Sequence, residues 1–94
     1  MKLNELYKII KDRQKKMPVG SYTSSLFNEG QDRIIQKVGE EAIETVIAAK
    51  NSSKDQIIYE IADLYFHLLV MMAFLKVKPE DIEKELEKRH KPNK

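Results

Sequence analysis

Residues 31–74 decide the fold, and they read QDRIIQKVGEEAIETVIAAKNSSKDQIIYEIADLYFHLLVMMAF. Proline is absent from this stretch, and Ile, Leu, Ala, Glu and Lys, which favour helices over strands when combined, dominate it. The pattern predicts one helix over residues 31–50 and a second from Lys54 or Asp55 to about Lys76, with Ser53 as its N-cap. Because the turn at residues 51–53 is short, we expect the two helices to be antiparallel neighbours.

The segments on either side of this pair predict two further helices. Apolar residues recur at helical spacing over residues 3–17, and Pro79, followed by two acidic residues, begins a helix that runs to about residue 90. The hydroxyl-rich stretch at residues 21–30 is predicted to be a loop, and the tail at residues 91–94 is expected to be frayed. The sequence therefore predicts an all-α antiparallel bundle of about four helices.

Composition limits the class of protein. The chain has 94 residues, which corresponds to a single domain over residues 1–94, and it contains no cysteine, so thiolate zinc sites and cysteine nucleophiles are excluded. Its net charge is only +2 and its basic residues are scattered, so we expect no nucleic-acid partner. We expect no signal peptide, and the apolar run at residues 64–75 is too short to cross a bilayer. These features predict a cytoplasmic protein with no membrane partner.

The 31–50 helix carries two contrasting faces. At 100° per residue, one face collects the apolar side chains, which predict the core stripe: Ile34, Ile35, Val38, Ala42, Thr45, Val46 and Ala49. The opposite face collects cations and carboxylates: Arg33, Lys37, Glu40, Glu41 and Glu44. Glu41 and Glu44 lie one turn apart, so their carboxylates can converge on one point. The alternative is a solvated helix face held by ordinary ion pairs.

The 54–76 helix is apolar on nearly every side, which is typical of a helix buried all round. A chain this short cannot cover it alone, so we expect a homodimer or a larger homo-oligomer. Glu60, Asp63 and His67 nevertheless share one side of this helix. A buried carboxylate without a partner is energetically expensive, so these groups indicate either a ligand or a structural ion pair between His67 and Asp63.

The two acidic pairs are expected to meet. The turn lies midway between Glu44 and Glu60, so antiparallel packing brings the pairs to a similar height, where the four carboxylates would repel one another. A divalent cation removes that repulsion, and an all-oxygen ligand set favours Mg²⁺, with Mn²⁺ as the alternative. Arg33 and Lys37 lie on the same helix and suit phosphate oxygens. The pattern indicates metal-assisted hydrolysis of a phosphoanhydride.

Several motifs together resemble a known family. They are Ser21-Tyr22-Thr23, then KVGEEAIE at residues 37–44, EIADL at 60–64, HLLV at 67–70 and a final Arg89. The acidic motifs resemble the all-α MazG-like and dimeric dUTPase group of nucleoside triphosphate pyrophosphohydrolases. The first two motifs are most similar to the phosphoribosyl-ATP pyrophosphohydrolase family of histidine biosynthesis. The resemblance spans residues 21–89, and its one small departure is Phe66, where the family often has tyrosine.

The resemblance implies Mg²⁺-dependent hydrolysis of phosphoribosyl-ATP between its α and β phosphates, which yields phosphoribosyl-AMP and pyrophosphate. It also implies a helical homodimer of the single-function form. The expected roles fall into three groups: metal ligands Glu41, Glu44, Glu60 and Asp63; substrate-binding residues Arg33, Lys37, Ser21, Tyr22 and Thr23; and Glu40, which supports the metal ligands, orients the attacking water or has a simple surface role.

Other interpretations stay open at this stage. The hydroxyls of residues 21–23 form either an anion site or an ordinary capping turn. Lys15, Lys16 and Arg89 either bind the ribose phosphate of the substrate or are simply exposed to solvent, and His67 is either an ordinary core histidine or a partner of Asp63. The same metal site would also suit a house-cleaning nucleoside triphosphate pyrophosphatase. A non-catalytic helical dimerisation module would explain the apolar helix but not the carboxylates embedded in it.

Overall fold

The computed structural model describes residues 1–90, and within them the chain folds into five α-helices and no strand. The helices are α1 Leu3–Lys16, α2 Tyr22–Glu29, α3 Gln31–Asn51, α4 Lys54–Phe74 and α5 Pro79–Arg89. The all-α prediction is therefore confirmed. The predicted fraying of residues 91–94 lies outside the described residues.

The helices α3 and α4 form the expected antiparallel hairpin, which is the most extensive helix pairing in the structure. Ser52 and Ser53 link them, and the Ser53 Oγ accepts the backbone N–H of Gln56 at 3.4 Å, which confirms the predicted N-cap. Further along the hairpin, the Thr45 hydroxyl lies 2.8 Å from the backbone carbonyl oxygen of Glu41 in its own helix and 3.3 Å from that of Glu60 in α4. Thr45 therefore lies where the two helices meet, next to their acidic residues.

A small core lies where α1 and α2 pack against the α3–α4 hairpin. Its buried side chains are Tyr7, Ile10, Leu26, Ile34, Leu69, Val70, Met72 and Ala73. The Tyr7 hydroxyl donates to the carbonyl of Val77 at 2.8 Å, which ties α1 to the segment between α4 and α5. Helix α4 ends at Phe74 rather than Lys76, because Lys76 adopts a left-handed conformation with φ of 63°.

The prediction of a loop over residues 21–30 was wrong. The Ser21 Oγ accepts the backbone N–H of Ser24 at 3.2 Å and begins α2, while Gly30, with φ of 97°, ends α2 and precedes α3. Leu26 is only 1% exposed against α1 and α3, so packing outweighs the weak helix preference of the neighbouring hydroxyl residues.

The predicted core stripe of α3 is only partly correct. Ile34 is buried and Val38 is partly buried, but Ile35 is 44% exposed and Val46 60% exposed, while the buried Ala48 was not part of the predicted stripe. The remaining predicted members divide in the same way, with Ala42 and Thr45 partly buried and Ala49 exposed. The reason is that α3 packs α4 through a face that includes a carboxylate, which apolar periodicity cannot identify.

Helix α4 keeps apolar side chains exposed on its other side. Tyr65, Leu68 and Leu75 are 36–46% exposed, and together with Ile82 and Leu86 of α5 they line a groove of about 540 Å³. By length and composition alone, α4 is apolar enough to cross a membrane, contrary to the expectation from the shorter run at residues 64–75. The core helix of a soluble protein meets the same criterion.

Candidate active site

Four carboxylates from α3 and α4 converge on one point. Glu41 and Glu44 of α3 and Glu60 and Asp63 of α4 each offer an oxygen atom, and these atoms all lie within 4.8 Å of one another. Glu41 is 3% exposed and Glu60 is 9% exposed, so two of the four lie in the protein interior. The predicted meeting of the two acidic pairs is therefore confirmed as geometry.

Proximity perturbs the titration of this cluster. Burial, followed by the charge and contact of Glu41, raises the pKa of Asp63, and contact with Glu41 also raises the pKa of Glu44. Burial pushes the pKa of Glu41 upward, but its contacts with Asp63, Glu44 and Lys37 outweigh it and lower the pKa overall. Glu41 therefore disfavours the ionisation of Glu44 and Asp63 beside it, and a cation bound among these carboxylates would offset that repulsion.

The donor atoms fit a hard divalent cation. Glu41 Oε2 and Glu60 Oε2 are buried and have no hydrogen-bond partner among the described residues, although Glu60 Oε1 accepts the Gln56 amide at 2.9 Å. Buried polar atoms nearly always have a hydrogen-bond partner, so these two oxygens indicate a bound ligand. A set of carboxylate oxygens suits Mg²⁺ or Mn²⁺ better than zinc.

One predicted phosphate-binding cation reaches the cluster directly. Lys37 Nζ lies 3.2 Å from Glu41 Oε1 and 3.5 Å from Glu40 Oε1. Burial lowers the pKa of Lys37, but the bond to Glu41 and the neighbouring acidic groups raise it by more. The pKa is therefore raised overall, and Lys37 stays charged. Arg33 is more distant, because its guanidinium lies 3.9 Å from both Glu29 and Glu40. Of these two cations, Lys37 contacts the cluster, while Arg33 lies beside Glu29 and Glu40.

Glu40 is not one of the four converging carboxylates, although it shares the Lys37 ammonium with Glu41. It accepts the Gln36 amide at 3.1 Å and contacts Lys37 and Arg33 on the partly exposed side of α3. Exposed ion pairs of this kind contribute little to stability. Its assignment as the residue that orients water stays a prediction.

The three hydroxyls at residues 21–23 have different surroundings. Ser21 caps α2, so the capping interpretation applies to that residue. The Tyr22 hydroxyl lies 2.9 Å from His67 Nε2, and the other ring nitrogen of His67 faces Asp63. Thr23 is partly buried in the first turn of α2. Sequence reasoning missed the contact between Tyr22 and His67, since only the spacing of Asp63 and His67 could be read from one helix.

Residues 3–90 match the sequence model of the family described as phosphoribosyl-ATP pyrophosphohydrolase. The chain belongs to this family. It is 52% identical over 89 residues to a phosphoribosyl-ATP pyrophosphatase of Saccharolobus solfataricus, and 48% identical to one of Saccharolobus islandicus, with 95% of each chain covered in both cases. It is also 52% identical to the histidine biosynthesis bifunctional protein HisIE of Caldanaerobacter subterraneus, of which it spans 43%.

Membership of the phosphoribosyl-ATP pyrophosphohydrolase family confirms the resemblance drawn from the motifs, and the match includes every helix of the fold.

The remaining cations of the sequence analysis lie in other surroundings. Lys16 pairs with Asp12 at 3.1 Å, and Arg89 pairs with Glu85 at 2.9 Å, each within one helix. Lys15 is exposed on α1.

Proposed function

We propose that this chain hydrolyses the α–β phosphoanhydride of phosphoribosyl-ATP to phosphoribosyl-AMP and pyrophosphate, in histidine biosynthesis, with Mg²⁺ as cofactor and Mn²⁺ as a substitute. The observation that carries the proposal is the convergence of four carboxylates within 4.8 Å, two of them with a buried oxygen that has no hydrogen-bond partner within residues 1–90. The names of the relatives support the choice of substrate. We further propose that residues 1–94 form one domain and act in the cytoplasm, without nucleic-acid or membrane partners.

Glu41, Glu44, Glu60 and Asp63 would hold the cation. When bound, it would polarise the phosphoryl oxygens and offset the negative charge that develops on the pyrophosphate leaving group. Protons compete with the cation for these oxygens, because the pKa values of Glu44 and Asp63 are raised and a carboxylate binds a cation in its ionised form. Cation binding is therefore expected to release protons.

Lys37 and Arg33 would bind the phosphate oxygens of the substrate. Lys37 contacts Glu40 and Glu41 at once, so it can exchange one carboxylate for a phosphate oxygen while remaining charged. Glu40 is partly exposed beside them and would orient the attacking water. Attack on the α-phosphorus breaks its bond to the bridging oxygen, and pyrophosphate leaves.

We also propose that the chain forms a homodimer through the exposed apolar residues of α4 and α5. Tyr65, Leu68, Ile82 and Leu86 line one groove, and contiguous exposed apolar surface of this kind usually marks an interface. The variant Leu86→Glu should shift the mass measured by light scattering toward the monomer, whereas Lys84→Glu, at an exposed position of the same helix, should not. A monomeric wild-type chain would contradict this assembly.

Pyrophosphate release tests the reaction. Wild type, Asp63→Asn and the surface control Asp12→Asn would be assayed with Mg²⁺ on phosphoribosyl-ATP and on ordinary nucleoside triphosphates. We expect release from phosphoribosyl-ATP alone, lost only in Asp63→Asn. Release from ordinary triphosphates instead would indicate a house-cleaning pyrophosphatase. No release, with thermal melting unchanged by Mg²⁺, would indicate a non-catalytic helical module.

A further inference from the structure

His67 is buried beside the carboxylate cluster, with 3% of its surface exposed. Its Nδ1 lies 2.8 Å from the backbone carbonyl oxygen of Asp63 and 3.3 Å from the Asp63 carboxylate Oδ1. Both oxygens are hydrogen-bond acceptors, so Nδ1 must carry the hydrogen. In the neutral imidazole, Nε2 is then left as an acceptor.

Tyr22 supplies the donor for that second nitrogen. Its hydroxyl lies 2.9 Å from His67 Nε2, so with a neutral imidazole the hydroxyl donates its hydrogen to that nitrogen. Phe66 contacts both residues, since its ring centroid lies 6.1 Å from that of Tyr22 and 5.1 Å from that of His67. These contacts hold the imidazole from two sides and join the start of α2 to Asp63.

His67 could instead be considered a metal ligand, because a ring nitrogen and oxygens of Glu41 and Asp63 also lie within 4.8 Å of one another. A ligating nitrogen needs a free lone pair. Nδ1 carries the hydrogen that faces Asp63, and the lone pair of Nε2 is directed at the Tyr22 hydroxyl. Both nitrogens are therefore occupied, and the imidazole acts on Asp63 rather than on a cation.

We propose that His67 and Tyr22 are positioning residues for metal binding: His67 orients the Asp63 carboxylate, and Tyr22 holds His67 in the orientation and tautomer that this requires. This inference rests on the proposed function, since it assigns Asp63 to a cation. It also gives Tyr22 a role different from direct substrate contact. The hydrogen-bond chain makes the position of α2 and the geometry of the metal site depend on each other.

Two amide variants of His67 separate its contact with Asp63 from its contact with Tyr22. In His67→Asn the amide nitrogen can replace Nδ1 and still donate to Asp63, whereas in His67→Gln the amide oxygen can replace Nε2 and still accept from Tyr22. Loss of a group that orients a metal ligand typically weakens metal binding 10–100-fold. We expect that loss of Mn²⁺ affinity in His67→Gln, measured by electron paramagnetic resonance without substrate, and substantial rescue in His67→Asn.

Tyr22→Phe removes only the hydroxyl from a side chain that is 53% exposed, so it should fold even if a buried His67 variant does not. We expect a several-fold loss of Mn²⁺ affinity and a lower kcat with little change in KM. Tyr59→Phe removes a hydroxyl from a tyrosine that is 65% exposed on α4 and serves as the matched control.

Nitrogen NMR of protein labelled at histidine observes the ring nitrogens of His67 directly, because the sequence contains only two histidines, His67 and His90. We expect a hydrogen on Nδ1 of His67 and an Nε2 signal that shifts in Tyr22→Phe but not in Tyr59→Phe. A hydrogen on Nε2, or unchanged Mn²⁺ affinity in both His67→Gln and Tyr22→Phe, would overturn the proposal. If wild type itself failed to bind Mn²⁺, the proposed function would fail as well, so the wild-type titration distinguishes the two failures.

Discussion

Replacing Asp63 with asparagine should stabilise the metal-free protein while abolishing its metal response. Asp63 offers an oxygen within 4.8 Å of an oxygen of Glu41, and Glu41 is 3% exposed. Without a cation these two negative charges repel. Asparagine has almost the same shape and can still accept the hydrogen of His67, so the substitution removes the charge and little else.

The size of the effect follows from the distance. Two unit charges 4.8 Å apart interact by about 3.5 kcal/mol at an effective dielectric of about 20. The Asp63 side chain is 32% exposed, so solvent screening should reduce the gain to about 1 kcal/mol. For a domain of this size, that gain corresponds to a rise of about 4–8 °C in Tm.

The pH dependence has a defined sign. Because the pKa of Asp63 is raised in the folded state, the native protein binds this proton more tightly than the unfolded chain does. Metal-free wild type therefore loses stability as pH rises through that raised pKa, and the advantage of Asp63→Asn should grow over the same interval.

The assay is thermal melting at fixed protein concentration, in chelator and in Mg²⁺. In chelator we expect Asp63→Asn to melt above wild type. In Mg²⁺ at a hundred times its Kd, wild type should gain about 2.7 kcal/mol and the variant far less, so the order should reverse. Asp12→Asn, which removes a partly exposed carboxylate on α1, should gain as much stability from Mg²⁺ as wild type does.

A lower melting temperature of metal-free Asp63→Asn would refute this reasoning. It would mean that the negative charge of Asp63 stabilises the fold, as in a structural ion pair with a protonated His67. The carboxylate cluster would then be a feature of folding rather than a cation site.

Three further predictions concern single side chains. Lys37→Met should lower kcat/KM by about 10–100-fold through loss of a charged bond to phosphate. Steady-state kinetics would measure this against the control Lys50→Met, and equal kinetics in the two variants would exclude phosphate binding by Lys37. Ser53→Ala should lower the free energy of unfolding, measured in urea, by about 1 kcal/mol because α4 loses its N-cap, and pyrophosphate release should be unchanged. A loss of activity greater than the loss of folded protein would contradict a purely structural role for Ser53. Burial, with help from Glu80 and Asp81, raises the pKa of Tyr7 above 10.0, so its contribution to stability is present below pH 10 and is lost as pH rises through the folded value. Tyr7→Phe should therefore lose about 1 kcal/mol at pH 8 and show a smaller alkaline decline; parallel pH curves for the two proteins would contradict this.

The long helices could be predicted because strong local signals agree there. Ser53 caps α4, and Pro79 begins α5 with acidic residues in its first turn. The acidic pairs could also be placed together, since a short turn determines how an antiparallel hairpin aligns.

The errors come from tertiary packing. Helix α2 is short and rich in hydroxyl residues, and the burial of Leu26 stabilises it where local preference would not. In α3, apolar residues point both toward and away from α4, so their periodicity cannot reveal that Glu41 is buried while Ile35 and Val46 are exposed. The bond between Tyr22 and His67 joins residues 45 positions apart, which no pattern within one helix can disclose.

The most direct test of the central claim is the position of a bound cation. Crystals grown with Mn²⁺ would be measured for anomalous scattering at the manganese edge. We predict a peak between α3 and α4, within coordination distance of oxygens from Glu41, Glu44, Glu60 and Asp63. A peak elsewhere, or no peak at this cluster at saturating Mn²⁺, would contradict the proposed metal site and the reaction built on it.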